Sequence, residues 1–378
     1  MTIDSQAAPW QLPTPFRSIV ALVLLGTMLI GVWEVVAATR KVGAADFPHT
    51  LMDFREGRTT ITLEKQLEKN LPSRKDLIAF ANTVRYILTG GGGDQVRVGK
   101  DGWLFLTEEL RFDAGGGANL SARADLLAAA SRKLDTMGVK LVVVLVPDKA
   151  RIHVGKLASA EYPAYNRSRY QDAFKAIQSR NVAVVDLLEP MSKAAEKSDV
   201  YYRTDTHWNQ AGAEMAAQAV ASMVRKLGVN LKPTVFETSP GGEAVKRPGD
   251  LLRLMGLEDI PDAMRPAADN EVPMVTTEKS DGSAGGLFGD AGVSVVLTGT
   301  SYSLRGNFHG YLQQGLQTKV LNAAKDGGGF LQATTAYLKD ESFQSAKPDV
   351  LVWEIPERFM LAALDGEPTW LAKAGLLP

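Results

Sequence analysis

The sequence predicts an α/β protein: a central parallel sheet flanked by helices, preceded by one N-terminal membrane-spanning helix. Three observations predict it. Continuous apolar runs recur at 141–147, 182–188, 293–299 and 349–356, helical periods lie between them, and a 20-residue apolar stretch runs from Ile19 to Ala38. Strands apolar on every side chain belong to a sheet covered on both faces, and helices between successive strands make the pairing parallel.

The N-terminal stretch is interrupted by one charge, Glu34, and matches the ~20 residues needed to cross a hydrocarbon core. A secretory signal would have a shorter apolar region and a small-residue cleavage site. Ala37-Ala38-Thr39 only weakly imitates one, so an uncleaved anchor is expected. Arg17 flanks one side and Arg40-Lys41 the other, so the positive-inside count does not orient it. Two amphipathic runs follow over 59–89, split at Leu71-Pro72. Ile61, Leu63 and Leu67 keep helical spacing in the first, and Leu77, Phe80, Val84 and Ile87 in the second. The four glycines 90–93 then break the chain. The expected organisation is a short tail (1–17), an anchor (18–38), a helical stem (39–93) and a body (94–378).

The body opens on a hairpin, Gln95–Val98 and Trp103–Leu106, turned over Lys100-Asp101-Gly102. Helix 121–137 leads to strand 141–147, and helix 167–179 to strand 182–188. Helix 210–227 is capped by Asn209 at its start and by Gly228 at its end. Residues 229–292, rich in Pro, Gly and polar side chains, read as an irregular excursion. Strand 293–299, a short helix over 303–315, a helix over 329–343 and strand 349–356 complete the alternation.

Composition narrows the chemistry. With 42 Lys+Arg against 43 Asp+Glu, the net charge of −1 argues against sequence-independent nucleic-acid binding, which needs a basic excess. The absence of Cys removes disulfides, Cys-ligated zinc, iron–sulfur clusters and thiol nucleophiles. Four His remain. His49, His153 and His309 stand without obvious partners, whereas His207 sits in Asp205-Thr206-His207-Trp208-Asn209. An Asp accepting the Nδ1 proton would leave Nε2 as a base; alternatively Asp205 caps a helix and His207 is structural. A metal site at this pair lacks a third ligand nearby in sequence, and no metal or cofactor is expected.

Ligands bind beyond the carboxyl ends of parallel strands. Three such ends carry polar groups: Pro147-Asp148-Lys149, Gly299-Thr300-Ser301-Tyr302-Ser303 and Glu354-Ile355-Pro356-Glu357-Arg358. A Ser at a strand end opening a helix meets converging backbone N–H groups, an oxyanion site. Ser301 is the leading nucleophile and Ser303 its rival.

These blocks together resemble the alginate O-acetyltransferase family of SGNH-like proteins, the AlgJ/AlgX type. The resemblance includes Gly99-Lys100-Asp101-Gly102-Trp103-Leu104-Phe105 and Val146-Pro147-Asp148-Lys149. It extends to the Asp205–Asn209, Gly299–Ser303 and Trp353–Arg358 blocks. The Ser block follows the Asp-x-His block, the reverse of ordinary SGNH hydrolases and the permuted order of this family. The resemblance implies an SGNH-like fold, with Ser301 as nucleophile, His207 as base and Asp205 as its orienter. It also implies a bacterial inner-membrane anchor with the body in the periplasm, a polysaccharide acceptor, and a polytopic membrane acyltransferase as acetyl donor. Only residues 357–378 follow the last strand, so the anchored AlgJ-like form without an appended carbohydrate module is expected. On that reading Lys149, Arg305 and Arg358 are candidates for uronate carboxylates, although Arg305 fits a surface charge better. Tyr302, Trp208 and Trp353 are candidates for sugar stacking, although core or pocket wall fits each better, and Asn307 is a candidate for a second oxyanion donor. Two other functions share these residues: a membrane-tethered polysaccharide-binding scaffold with a vestigial triad, and a carbohydrate acetylesterase.

Overall fold

The computed structural model describes residues 14–41, 50–158, 162–279, 293–365 and 367; His49 and residues 280–292 lie outside them. The chain divides into two compact units, Met1–Ala81 and Asn82–Pro378.

In the first unit, α1 (Thr14–Thr39) contains a 22-residue segment, Ser18–Thr39, long and apolar enough to cross a membrane. Its one carboxylate, Glu34, is buried and accepts the Ser73 N–H at 3.1 Å, so the charge is met by a backbone donor at a helix start. Helix α2 (Leu51–Arg55) opens with a reciprocal Thr50–Asp53 capping box. The two amphipathic runs form α3 (Arg58–Asn70) and α4 (Arg74–Thr89), parted at Leu71-Pro72. The last turns of α4 fall in the second unit.

The second unit opens on the antiparallel hairpin β1 (Val96–Val98) and β2 (Leu104–Leu106). There follow α5 (Thr107–Leu110), α6 (Gly116–Thr136), β3 (Lys140–Val146), α7 (Lys149–Ile152), α8 (Arg169–Gln178) and β4 (Ala183–Asp186). Next come α9 (Leu188–Ala195), α10 (Gln210–Lys226), β5 (Phe236–Pro240), β6 (Val245–Arg247) and α11 (Asp250–Leu254). After β7 (Asp269–Glu271) and β8 (Met274–Glu278), the chain continues through β9 (Val295–Thr298), α12 (Phe308–Leu316) and β10 (Val320–Asn322). It finishes with α13 (Gln332–Lys339), α14 (Glu341–Ser345) and β11 (Val350–Pro356). The main sheet is parallel throughout, in the order β10-β9-β11-β3-β4.

Alternation along β3 shows why its run is wholly apolar. Val142, Val144 and Val146 pack on one face with α10 and α12 side chains such as Val220 and Leu312. Leu141, Val143 and Leu145 pack on the other with Leu127 and Leu134 of α6 and Ile177 of α8. Each such side chain contributes about 1.5–3 kcal/mol on burial, which favours an apolar residue at every position after the exposed Lys140.

Four elements differ from expectation. The run at 182–188 stops at Asp186, whose carboxylate accepts the Leu188 N–H at 3.0 Å and starts α9. The helix expected over 303–315 is a 3-10 turn, Ser301–Leu304, then a left-handed Asn307 (φ +57°), then α12. Helix 329–343 is broken at Asp340, which caps α14 through the Ser342 N–H at 2.9 Å. The described part of the excursion holds α11 and two antiparallel pairs, β5–β8 and β6–β7. Strands of three to five residues are too short to display a period.

Candidate active site

The loop before α10 and the end of β9 meet above the sheet. Asn209 caps α10 by accepting the Gly212 N–H at 3.0 Å, which holds Asp205–Trp208 in a fixed loop just upstream. His207 Nδ1 lies 2.5 Å from Asp205 Oδ1, and His207 Nε2 lies 2.7 Å from Ser301 Oγ. With the Asp205 carboxylate accepting from Nδ1, the network leaves Nε2 to accept the Ser301 hydroxyl proton. Asp205 and His207 are buried, while Ser301 is half-exposed, so the row runs from interior to solvent. Burial alone would raise the Asp205 carboxyl. The His207 ring and backbone hydrogen bonds, the imidazole charge and Arg247 instead hold it well below the usual carboxylate range.

The turn that carries Ser301 is pinned from the neighbouring strand. Glu354, buried in β11, accepts the Thr300 N–H at 2.7 Å and the Ser303 hydroxyl at 3.1 Å. Burial raises its pKa against those hydrogen bonds. Gly299 sits at φ +151°, and a Cβ there would come within 2.6 Å of the Glu354 carboxylate, so the close approach requires glycine. The Ser301 N–H opens the 3-10 turn and therefore has no carbonyl partner within it. It stands beside Oγ as an oxyanion donor.

Below Asp205, the excursion supplies support that sequence reasoning missed. Asp250, first residue of α11, accepts the Thr206 N–H at 2.7 Å and the Thr206 hydroxyl at 2.6 Å. Its own N–H donates to Asp205 Oδ2 at 3.2 Å. Gly249 lets α11 approach this closely, since a Cβ there would lie 2.1 Å from the Thr204 carbonyl oxygen. Asp205, His207 and Asp250 group closely enough for a cation, yet their carboxylates already serve the His207 ring and the Thr206 backbone and hydroxyl. The only sequence signal was an acid between two arginines in Arg247–Arg253.

A cleft of about 450 Å³ opens over Ser301 and His207. Arg247, Arg253, Arg305 and Arg358 line it, together with Asp250, Glu258, Asp326 and the glycine turn 327–329. Arg305, expected as a surface charge, pairs with Asp326 at 3.2 Å and also borders the cleft.

Several expected ligand contacts are corrected. Lys149 is fully buried and its Nζ donates to the carbonyls of Leu104 (2.6 Å), Arg203 (2.9 Å) and Asp205 (2.9 Å); it ties three segments together and reaches no ligand. Burial lowers its pKa to about 8 against nearby carboxylates. Tyr302 is buried under the His207 ring at 4.8 Å and donates to the Thr206 carbonyl at 2.8 Å. Trp208 packs on Tyr302 and Phe308 and donates to the Arg305 carbonyl. Trp353 lies in the core against Phe330. Asn307 donates to Thr276 Oγ1 at 2.9 Å and does not line the cleft. Ser303 is buried on Glu354, which removes it as a rival to Ser301. Arg358 does line the cleft. Among the other histidines, His309 bonds the Val320 carbonyl at 2.7 Å, and His153 lies against Trp103 at 4.4 Å.

A family profile described as the SGNH hydrolase-like domain of the acetyltransferase AlgX matches residues 96–357. The chain belongs to this family. It is 32% identical over 353 residues to the probable alginate O-acetylase AlgJ of Pseudomonas aeruginosa, covering 90% of this chain and 88% of that one. It is 33% identical over 332 residues to AlgJ of Pseudomonas putida, covering 85% and 86%. The solved O-acetyltransferase domain of Pseudomonas putida AlgJ superposes with a TM-score of 0.64 at 33% identity, covering 74% of this chain and 98% of that domain. The SGNH-like α/β fold with its central parallel sheet, and the acetyltransferase domain, are therefore those of the family.

Proposed function

We propose that this protein is an alginate-type exopolysaccharide O-acetyltransferase working through an acetyl-Ser301 intermediate. The observation that carries the reading is the continuous hydrogen-bonded row Asp205–His207–Ser301 at 2.5 and 2.7 Å, with Ser301 facing the cleft. In the first half-reaction, His207 Nε2 takes the Ser301 proton as Oγ attacks the donor's acetyl carbonyl. The Ser301 N–H stabilises the oxyanion, and His207 returns the proton to the leaving group. In the second, a sugar hydroxyl gives its proton to His207 and attacks the acetyl group. Ser301 leaves and recovers the proton. Asp205 stays ionised, holds the ring and offsets the imidazolium charge.

Of the cleft's charged lining, which also includes Asp250, Glu258 and Asp326, the guanidinium groups are the ones that suit the carboxylates of a uronate polymer. The relatives' names, alginate O-acetylase, agree with that acceptor. The donor on this reading is a polytopic membrane acyltransferase that passes acetyl across the bilayer. The anchor (18–38) holds the protein in the bacterial inner membrane, tail (1–17) inside. The stem (39–93) and the catalytic body (94–378) are periplasmic.

The test is to incubate the full chain with an acetyl donor ester and an unacetylated mannuronate oligosaccharide. Acetylated oligosaccharide and an acetylated Ser301 peptide, both read by mass spectrometry, are the expected products. Acetate release with no acetylated sugar would refute transfer in favour of hydrolysis.

A further inference from the structure

Large apolar side chains exposed on the described part of residues 82–378 are non-aromatic with two exceptions, Phe112 and Tyr165. Those two touch each other. Their ring centres lie 5.3 Å apart with planes 78° to one another, and the Tyr165 hydroxyl donates to the Leu110 carbonyl at 2.7 Å. They border a cavity of about 450 Å³ distinct from the Ser301 cleft, with an apolar floor that includes Leu110 and Leu157. Arg97 and Arg111 are the only charged side chains among its described lining residues. One contact of each guanidinium is internal, Arg97 to the Gly93 carbonyl at 3.4 Å and Arg111 to Asp113 at 3.1 Å, out of five N–H donors apiece.

Rigid aromatic faces bordered by guanidinium groups match one ligand chemistry well. The C–H face of a pyranose ring packs on an aromatic side chain, and a carboxylate on the same sugar pairs with arginine. A neutral sugar could accept hydrogen bonds from the arginines but would lack the charge-assisted, bidentate pairing of a carboxylate. We propose that this cavity is a second binding subsite for an acidic polysaccharide, with a uronate ring on Phe112 and Tyr165 and its carboxylate on Arg97 and Arg111. The assignment rests on the reading of the acceptor as a uronate polymer. The two sites are bordered by consecutive stretches of chain, Leu106 on the Ser301 cleft and Thr107 and Leu110 on this cavity. On this proposal one polymer chain occupies both, and the second contact raises the effective concentration of acceptor hydroxyls at Ser301.

Binding tests this without acetyl transfer. The full chain in detergent is titrated calorimetrically with an unacetylated mannuronate oligosaccharide, and with a cello-oligosaccharide of equal length as the neutral probe. Phe112→Ala, and separately the pair Arg97→Glu and Arg111→Glu, are each expected to raise the mannuronate Kd at least about tenfold. The neutral probe is expected to bind more weakly than mannuronate in the wild type. Unchanged Kd in the charge-reversed protein, at wild-type melting temperature, overturns the proposal even should Phe112→Ala fold poorly. So does equal affinity for the neutral probe, or no binding of mannuronate by the wild type. A protein that binds as expected yet acetylates nothing would refute the transferase reading and leave the subsite standing.

Discussion

Two buried polar clusters lie at the carboxyl end of the sheet, and they differ in whether they open on the cleft. In the Asp205–His207–Ser301 row, the carboxylate, ring and hydroxyl follow one another and the last hydroxyl faces a cleft. In the neighbouring cluster, Arg169 is fully buried, ion-pairs with Asp148, and donates to Glu357 at 2.9 Å and to the Glu109 carbonyl at 2.8 Å. Arg151 grips the same Glu357, and the Asp148 N–H donates to it at 3.1 Å. An open row can hand a proton to a ligand, whereas a closed one can only hold segments together. Arg358 bridges the two, bordering the cleft with its Nη1 3.5 Å from Asp148.

The sharpest way to break this contrast is to cut each cluster and compare what is lost. Ser301→Ala or His207→Ala should lower kcat on a chromogenic acetyl ester by about 10⁴-fold or more, with the melting temperature nearly unchanged. Residual activity within tenfold of wild type would end the proposed mechanism. Arg169→Met should do the opposite, lowering unfolding free energy in urea by about 3–5 kcal/mol, because two carboxylates lose their buried partner. A loss below about 1 kcal/mol would mean that the network is not holding α8 to the sheet ends.

His153 gives a third, pH-dependent test of the closed side. Burial, then the Lys149 charge, lowers its pKa from 6.5 to about 3, and its Nε2 has no partner among the described residues. Between pH 6.5 and 3 the unfolded chain takes up a proton that the folded chain refuses. Stability contributed by the neutral ring is therefore lost as pH falls through that window, by about 1.4 kcal/mol per pH unit. His153→Phe, stacked on Trp103 in the same way, should recover about 3 kcal/mol of the wild type's loss between pH 7 and pH 4. Parallel stability curves for the two proteins would contradict the assignment.

The same contrast explains what was legible in the sequence. Strands β3 and β11 announce themselves because a parallel strand covered on both faces is apolar along nearly all its length, Glu354 of β11 being the exception that serves the Ser301 turn. Asp205, His207 and Ser301 stand out because few residue types do that chemistry, and His207 alone among the four histidines has a carboxylate two residues away. Which strand-end charges face a ligand was not legible. Pro147-Asp148-Lys149 and Glu357-Arg358 look alike in a string, yet β3 and β11 are neighbours, so their ends mostly satisfy each other. That pairing is a fact of sheet order, and sheet order depends on contacts far apart in the chain. Asp250 was hidden for the same reason, 45 residues beyond Asp205 in a segment without a period.

Asp250 supplies the smallest effect and the finest test, because it touches the open row without belonging to it. Its carboxylate fixes Thr206 through two hydrogen bonds of 2.6–2.7 Å, and its N–H steadies Asp205 Oδ2 at 3.2 Å. Asp250→Asn keeps the shape and one acceptor oxygen but weakens both bonds to Thr206, so the loop carrying His207 loosens. A misplacement of a base by a fraction of an ångström lowers the rate of proton transfer more than it lowers binding. The expected result on the chromogenic ester is a roughly tenfold fall in kcat, about 1.4 kcal/mol, with KM within about twofold of wild type. A rise in KM at unchanged kcat would instead mean that Asp250, which borders the cleft, acts by touching substrate rather than by supporting the row.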